Sequence, residues 1–183
     1  MVNENFQNNY LENLLAERGV VDLQNYLNPP EDFLNEPEKL DNMAAGWELL
    51  KKKIEKNEKL LLIVDCDVDG FTSSAVMYNY IKHNWPEIEI DYLLHEGKQH
   101  GLEDHCEHLI DIGPVYGLVI CPDSSSNDAK YHDELGSMGV PVLVLDHHDV
   151  DEPHIYSNNA IIINNQLSKG YENKELTGAG VAW

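Results

Sequence analysis

Arginine is almost missing from this chain: Arg18 is the only one. Lysine does not make up the deficit, because Lys and Arg together number 12 against 33 Asp and Glu, a formal net charge of −21. Nucleic-acid binders usually carry a basic footprint, and this composition offers none. Divalent cations bound to clustered carboxylates would offset the imbalance locally, without creating a long basic groove. Cysteine is scarce as well. Cys66, Cys106 and Cys121 fit no paired zinc-ligand spacing, and three is a poor count for a disulfide framework. Cys66 and Cys121 close apolar runs and read as buried, reduced thiols. No apolar run approaches the roughly 20 residues of a membrane span. The start, MVNENFQNNYLENLL, lacks the basic flank and apolar stretch of a signal peptide. Cytoplasmic residence without a membrane partner is the expectation. What is present is ordinary globular material: 183 residues, 42% hydrophobic and 25% charged, enough for one domain with an arm.

Residues 1–57 read as a polar, helical N-terminal arm. Apolar positions in NYLENLLAERGV recur at helical spacing, with Gly19 as the stop, and Pro29, Pro30 and Pro37 break the next stretch into turns. Leu40, Met43, Ala44, Trp47, Leu50 and Ile54 then mark an amphipathic helix. Its lysine-rich end, Lys51 to Lys53, suits the helix dipole and reads as a solvated face rather than a nucleic-acid patch. From residue 58 to 183 the rhythm changes. Short apolar runs at 60–64, 88–94, 117–121, 141–145 and 160–163 alternate with segments long enough for helices. Strands apolar on both faces, alternating with helices, indicate an α/β domain with a parallel sheet covered on both sides.

The acids fall at the ends of these runs. LLLIV leads into Asp65, Cys66, Asp67, Val68, Asp69 and Gly70; GLVIC leads into Pro122 and Asp123; PVLVL leads into Asp146, His147 and His148. In open α/β sheets the carboxyl ends of the strands line one crevice. Like charges gathered there repel unless something positive sits between them, and a pair of divalent metals is the natural compensation. DCDVDG also matches the opening of an EF-hand loop, but its twelfth position is Val76 and a strand precedes it, which excludes that reading. A strand followed by DVDG resembles the haloacid-dehalogenase phosphatases too, although that leaves the DHH triplet unexplained. The remaining histidines, His83, His95, His105, His108, His132 and His154, read as surface or packing residues.

At these residues the sequence resembles the DHH phosphoesterase superfamily, specifically the single-strand exonucleases of the RecJ type. DCDVDGFTS (65–73) stands for its DxDxDGxxS motif, Asp123 in CPDSSSN for its strand-closing Asp, and Asp146, His147 and His148 for the name-giving triplet. LAERGV, the YLNP turn and LDNMAAGWELL resemble the arm that precedes the RecJ catalytic domain; AIIINNQ and TGAGVAW resemble the path to its next helix.

The resemblance implies phosphodiester hydrolysis with two divalent ions, Mn²⁺ or Mg²⁺, and water as the nucleophile. It implies Asp67, Asp69, Asp123 and His147 as metal ligands, with Asp65 of lower rank in the same set. Asp146 and His148 are the catalytic candidates, Asp146 orienting His147 and His148 contacting the phosphate. Lys98, His100 and Ser73 are expected against the substrate phosphate. Gly70 is expected to permit the tight turn from strand to helix, with Thr72, Ser73 or Ser74 capping that helix. The implied substrate is single-stranded DNA degraded from its 5′ end. Short oligonucleotides or cyclic dinucleotides are the alternative that the charge favours. The family carries a further metal-binding Asp and a substrate-binding domain downstream of the residues matched here. Residues 1–183 alone are therefore expected to be poorly active, or to serve as an incomplete binding module, with a separate polypeptide supplying the missing C-terminal half.

Overall fold

The computed structural model describes residues 4–30, 35–94, 101–103 and 106–183. They group into two compact units, Met1–Asn35 and Glu36–Trp183. In the first, α1 (Glu4–Glu17) stops where the sequence says it should. Gly19 takes φ +85, and the amides of Gly19 and Val20 donate to the carbonyls of Ala16 and Leu15. A left-handed residue just past the last turn satisfies carbonyls the helix leaves open, and glycine takes that conformation without a Cβ clash. The short α2 (Leu23–Leu27) is capped by Asp22, whose carboxylate accepts from the Asn25 amide at 3.1 Å.

The second unit holds α3 (Met43–Glu55), β1 (Leu60–Val64), α4 (Val68–Asn84), β2 (Ile90–Leu94), α5 (Cys106–Ile112), β3 (Leu118–Pro122), α6 (Ala129–Ser137), β4 (Val142–Asp146), β5 (Ala160–Asn164) and α7 (Gly178–Ala182). All five strands pair in parallel, in the order β2-β1-β3-β4-β5. The parallel α/β architecture expected from the alternating runs is the one observed.

The runs of β1, β3 and β4 are buried throughout because both faces of the sheet are covered there, whereas edge strand β2 leaves Tyr92 and Leu94 exposed. Leu60 and Leu62 of β1 face one way, joining Ile120, Leu143 and Ile163 against Leu50 and Ile54 of α3 and Met77 and Ile81 of α4. Leu61 and Ile63 face the other way, joining Val119, Val142 and Val144 against Leu109 of α5 and Leu135 of α6. Each such side chain, fully buried, contributes about 1.5–3 kcal/mol by leaving water. The helix α3, read in the sequence as the end of the arm, packs with the sheet in the compact unit that starts at Glu36. Leu50 and Ile54 bring it there, buried in one cluster with Leu60, Leu62 and Ile163 of the sheet.

The strand order places the site. From β1 the chain moves outward to β2, then returns to lay β3 on the other side of β1. The carboxyl ends of β1 and β3 flank this reversal, and β4 lies next to β3. Among the described residues no helix is long and apolar enough to cross a membrane.

Candidate metal centre

β1 delivers its acid buried. Asp65 is fully inaccessible, and one of its carboxylate oxygens accepts from the Cys66 amide at 2.8 Å. The turn into α4 is closed by Asp67, the N-cap, whose carboxylate accepts from the Gly70 amide at 2.9 Å. Asp67 therefore does the capping expected of Thr72, Ser73 or Ser74. The Thr72 hydroxyl donates to the carbonyls of Val68 and Asp69 instead. Ser73, expected against the phosphate, is fully buried, and its hydroxyl donates back to the Gly70 carbonyl at 3.0 Å. Gly70, expected to ease a tight turn, sits inside the first turn of α4. There a Cβ would come within 2.5 Å of the Asp65 Cβ, so glycine is required by close approach.

β3 delivers Asp123 in a left-handed conformation, φ +69, two residues before Ser125 at φ +83. Such backbone is costly for residues with a side chain and persists only where the surroundings hold it. Part of the hold is His132 of α6, fully buried, whose Nε2 lies 3.0 Å from the Ser125 hydroxyl. Asp123 itself is fully buried, and neither of its carboxylate oxygens has a hydrogen bond. His147 Nε2 approaches Asp123 Oδ1 to 3.1 Å without the geometry of a hydrogen bond. Burial, then the charge of Asp69, pushes the Asp123 carboxyl up to about 8.

At β4 the arrangement is reversed, for Asp146 is buried and fully engaged. Its Oδ1 accepts from the amides of His147 and His148 at 2.7 and 3.1 Å, and from His148 Nδ1 at 2.8 Å. Its Oδ2 accepts from the Ser126 amide at 3.1 Å. These donors outweigh the cost of burial and hold the Asp146 carboxyl down at about 2; the same contact raises His148 to about 9. One expectation is corrected here. Asp146 orients the ring of His148, not that of His147, because the chain turns His148 back over the strand end. His147 instead projects towards the acids, with Nε2 3.5 Å from Asp69 Oδ2.

Asn164, which closes β5, ties this edge together. Its amide donates to the Ser126 hydroxyl at 2.9 Å and to the His148 carbonyl at 3.0 Å. Neither Ser126 nor Asn164 stands out in the sequence; the only available signal is a polar residue ending an apolar strand. Asn164→Ala is expected to lower the melting temperature by several degrees, corresponding to about 1–2 kcal/mol for the buried acceptors left open. A calorimetric scan unchanged from wild type would remove Asn164 from the account.

Asp69 lies in the first turn of α4, and α7 meets it there. Asp69 Oδ2 accepts from the Gly178 amide at 2.8 Å and Oδ1 from the Ala179 amide at 2.9 Å. Lys98 and His100 lie outside the described residues. Just after them, the Leu102 amide is fixed to the Asp128 carboxylate at 2.7 Å.

Two groups of donor atoms thus share Asp123. Asp65, Asp67 and Asp123 bring carboxylate oxygens within 4.8 Å of one another, and Asp123, His147 and His148 do the same with oxygen and imidazole nitrogen. Asp69 joins the second group through its approach to His147. A buried carboxylate with two open oxygens, set between other acids and a histidine, fits divalent cations. The same burial gives a pH effect at His132, which desolvation holds down at about 4. Between about pH 6.5 and 4 the unfolded chain binds a proton that the folded chain does not. Stability is therefore present above that window and lost as the pH falls through it, by on the order of 3 kcal/mol. Urea titrations at pH 7 and pH 5 should show wild type losing stability relative to His132→Gln at the lower pH; an equal change in the two proteins would remove the effect.

Residues 59–183 match the family described as DHH family, N-terminal domain. YorK of Bacillus subtilis (strain 168), prophage-derived and provisionally named a single-strand DNA-specific exonuclease, is 37% identical over 174 residues, covering 94% of this chain and 29% of that protein. The single-stranded-DNA-specific exonuclease RecJ of the same organism is 26% identical over 177 residues, 93% of this chain and 22% of that protein. The chain thus spans less than a third of the length of these relatives. Among solved structures, RecJ from Thermus thermophilus in complex with Mn²⁺ superposes with a TM-score of 0.64 at 20% identity, over 85% of this chain and 21% of that one. Another exonuclease RecJ, bound to manganese, gives 0.66 at 20% identity, over 81% of this chain and 37% of that one. These likenesses establish a shared fold. With residues 59–183 matched to that domain, the chain belongs to the DHH family.

Proposed function

We propose that this chain carries the metal-binding part of a RecJ-like exonuclease that degrades single-stranded DNA from the 5′ end with two divalent ions, Mn²⁺ or Mg²⁺, in the cytoplasm. The observation that carries the reading is Asp123, buried with both oxygens open and common to two groups of ligand atoms. Asp65, Asp67 and Asp123 would hold one ion; Asp69, Asp123 and His147 would hold the other. When bound, such a pair activates water and neutralises charge on the scissile phosphate.

The chain's own residues do the rest. Asp146 fixes the His148 ring and keeps it protonated, which makes His148 a cation for a phosphate oxygen and a proton donor to the leaving oxygen. The acids exclude a second anion from the crevice unless cations are present, so substrate binding should depend on metal. A net charge of −21 favours short substrates over long ones. Cyclic dinucleotides or short oligonucleotides are accordingly the second reading.

The test is parallel digestion with Mn²⁺, by the purified chain supplied with the downstream half of a RecJ-like relative, of 5′-labelled single strands, short oligonucleotides and cyclic dinucleotides. Release of labelled mononucleotides from the single strand, faster than from the other two, is expected. Cleavage of the cyclic dinucleotide alone would replace the exonuclease reading with the second one.

A further inference from the structure

The first turn of α7 does more than follow the sheet. α4 runs out of the crevice from Asp67, and α7 packs beside it with its own amino end at the same acids. The Gly178 and Ala179 amides both end on the Asp69 carboxylate, one on each oxygen. α7 does not need Asp69 as its cap, because Thr177 already serves: its hydroxyl accepts from the Gly180 amide at 3.1 Å. The contact is thus specific to Asp69, and it leaves each Asp69 oxygen a further lone pair directed away from the amide.

Gly178 has a second relation to the site. A Cβ built there would lie 2.0 Å from Asp123 Oδ1 and 2.5 Å from its Cγ, closer than any real contact. Asp123 is fully buried on a left-handed backbone and has little room to retreat. Any side chain at 178 therefore displaces the carboxylate shared by both ligand groups.

We propose that the first turn of α7 is the positioning element of the metal centre, with Gly178 as its key residue: two backbone amides fix the Asp69 carboxylate while the missing side chain leaves room for Asp123. The inference rests on the metal-site reading above. It also links loading of the centre to docking of α7, because an ion held by Asp69 and Asp123 immobilises the carboxylates on which the α7 amides rest. Neither amide touches substrate, so the role is one of positioning.

The test is Mn²⁺ binding to the full chain by calorimetry, with Gly178→Ala beside Gly180→Ala as the control. At Gly180 a Cβ would come closest to the flexible end of Leu176, at 3.2 Å, with the Leu176 Cβ and Thr177 Oγ1 at an ordinary 3.7 Å. Alanine favours a helix over glycine in both variants, so helix content should not fall. Gly178→Ala is expected to lower Mn²⁺ affinity by about 10–100-fold, the usual loss when a supporting group of a metal site is disturbed. Gly180→Ala should bind as wild type does. A wild-type chain that binds no Mn²⁺ would overturn the metal-site reading itself. A wild type that binds, with Gly178→Ala binding equally well, would overturn this inference alone. Should Gly178→Ala fail to fold, hydrogen exchange of the wild-type chain decides: the Gly178 and Ala179 amides are expected to exchange more slowly with saturating Mn²⁺. Equal exchange with and without the ion counts against the proposal.

Discussion

Asp123→Asn is expected to abolish Mn²⁺ binding and, in EDTA at pH 8, to leave the protein more stable than wild type. The two results share one cause. Asp123 is common to both groups of ligand atoms, so its loss empties both positions. Without an ion, its carboxylate is buried beside Asp69 with both oxygens unbonded. The folded chain keeps the Asp123 proton up to about pH 8, whereas the unfolded chain releases it near pH 4. Between those values the unfolded state binds fewer protons, so stability falls as the pH rises through the window and levels off above it. Asparagine keeps the shape and removes the charge. The expected gain at pH 8 is about 1–3 kcal/mol, the scale of one unsatisfied buried polar group. Urea denaturation in EDTA from pH 6.5 to 8, above the range in which His132 titrates, should show a steeper decline in wild type than in the variant. Retained Mn²⁺ binding, or a variant less stable than wild type in EDTA, would contradict the account.

The same contrast between open and engaged acids explains which parts of the site are legible in the sequence. That Asp65, Asp67, Asp123 and the triplet would meet follows from where the apolar runs stop, because parallel strands end on one side of the sheet. What each acid does there does not follow. Asp123 and Asp146 both close buried strands and read alike in one dimension, yet the carboxylate of one accepts no hydrogen bond and that of the other accepts four. The difference lies in the backbone: the chain after β4 folds its amides back over Asp146, while at Asp123, in the left-handed region, no amide hydrogen-bonds the carboxylate. Ser73 departs from expectation for a similar reason. Its place in a motif suggests exposure to substrate, but the helical period turns it inward with Gly70, Ser74 and Met77. The pairing of α7 with Asp69 spans more than a hundred residues of sequence and carries no local periodic signal.

His148→Ala is expected to lose phosphodiester cleavage by about 10²–10⁴-fold, the range of a general acid removed from a working site. It should keep the fold and bind Mn²⁺ with the wild-type stoichiometry. The side chain is about two-fifths exposed, so truncation opens no cavity in the core. The ligand sets proposed above do not depend on it. Asp146→Asn separates the two roles within the pair. Asparagine can still occupy the space under the His147, His148 and Ser126 amides, but it no longer supplies the charge that raises His148 to about 9. A histidine that works protonated is active below its pKa and inactive above it. The alkaline limb of the wild-type pH–rate profile should therefore fall near pH 9. In Asp146→Asn it should move towards the ordinary histidine value of about 6.5, with activity at acid pH partly retained. If His148→Ala cleaved at the wild-type rate, or if the alkaline limb stayed in place in Asp146→Asn, the Asp146–His148 pair would be a structural clasp at the strand end and the proton would have to come from elsewhere.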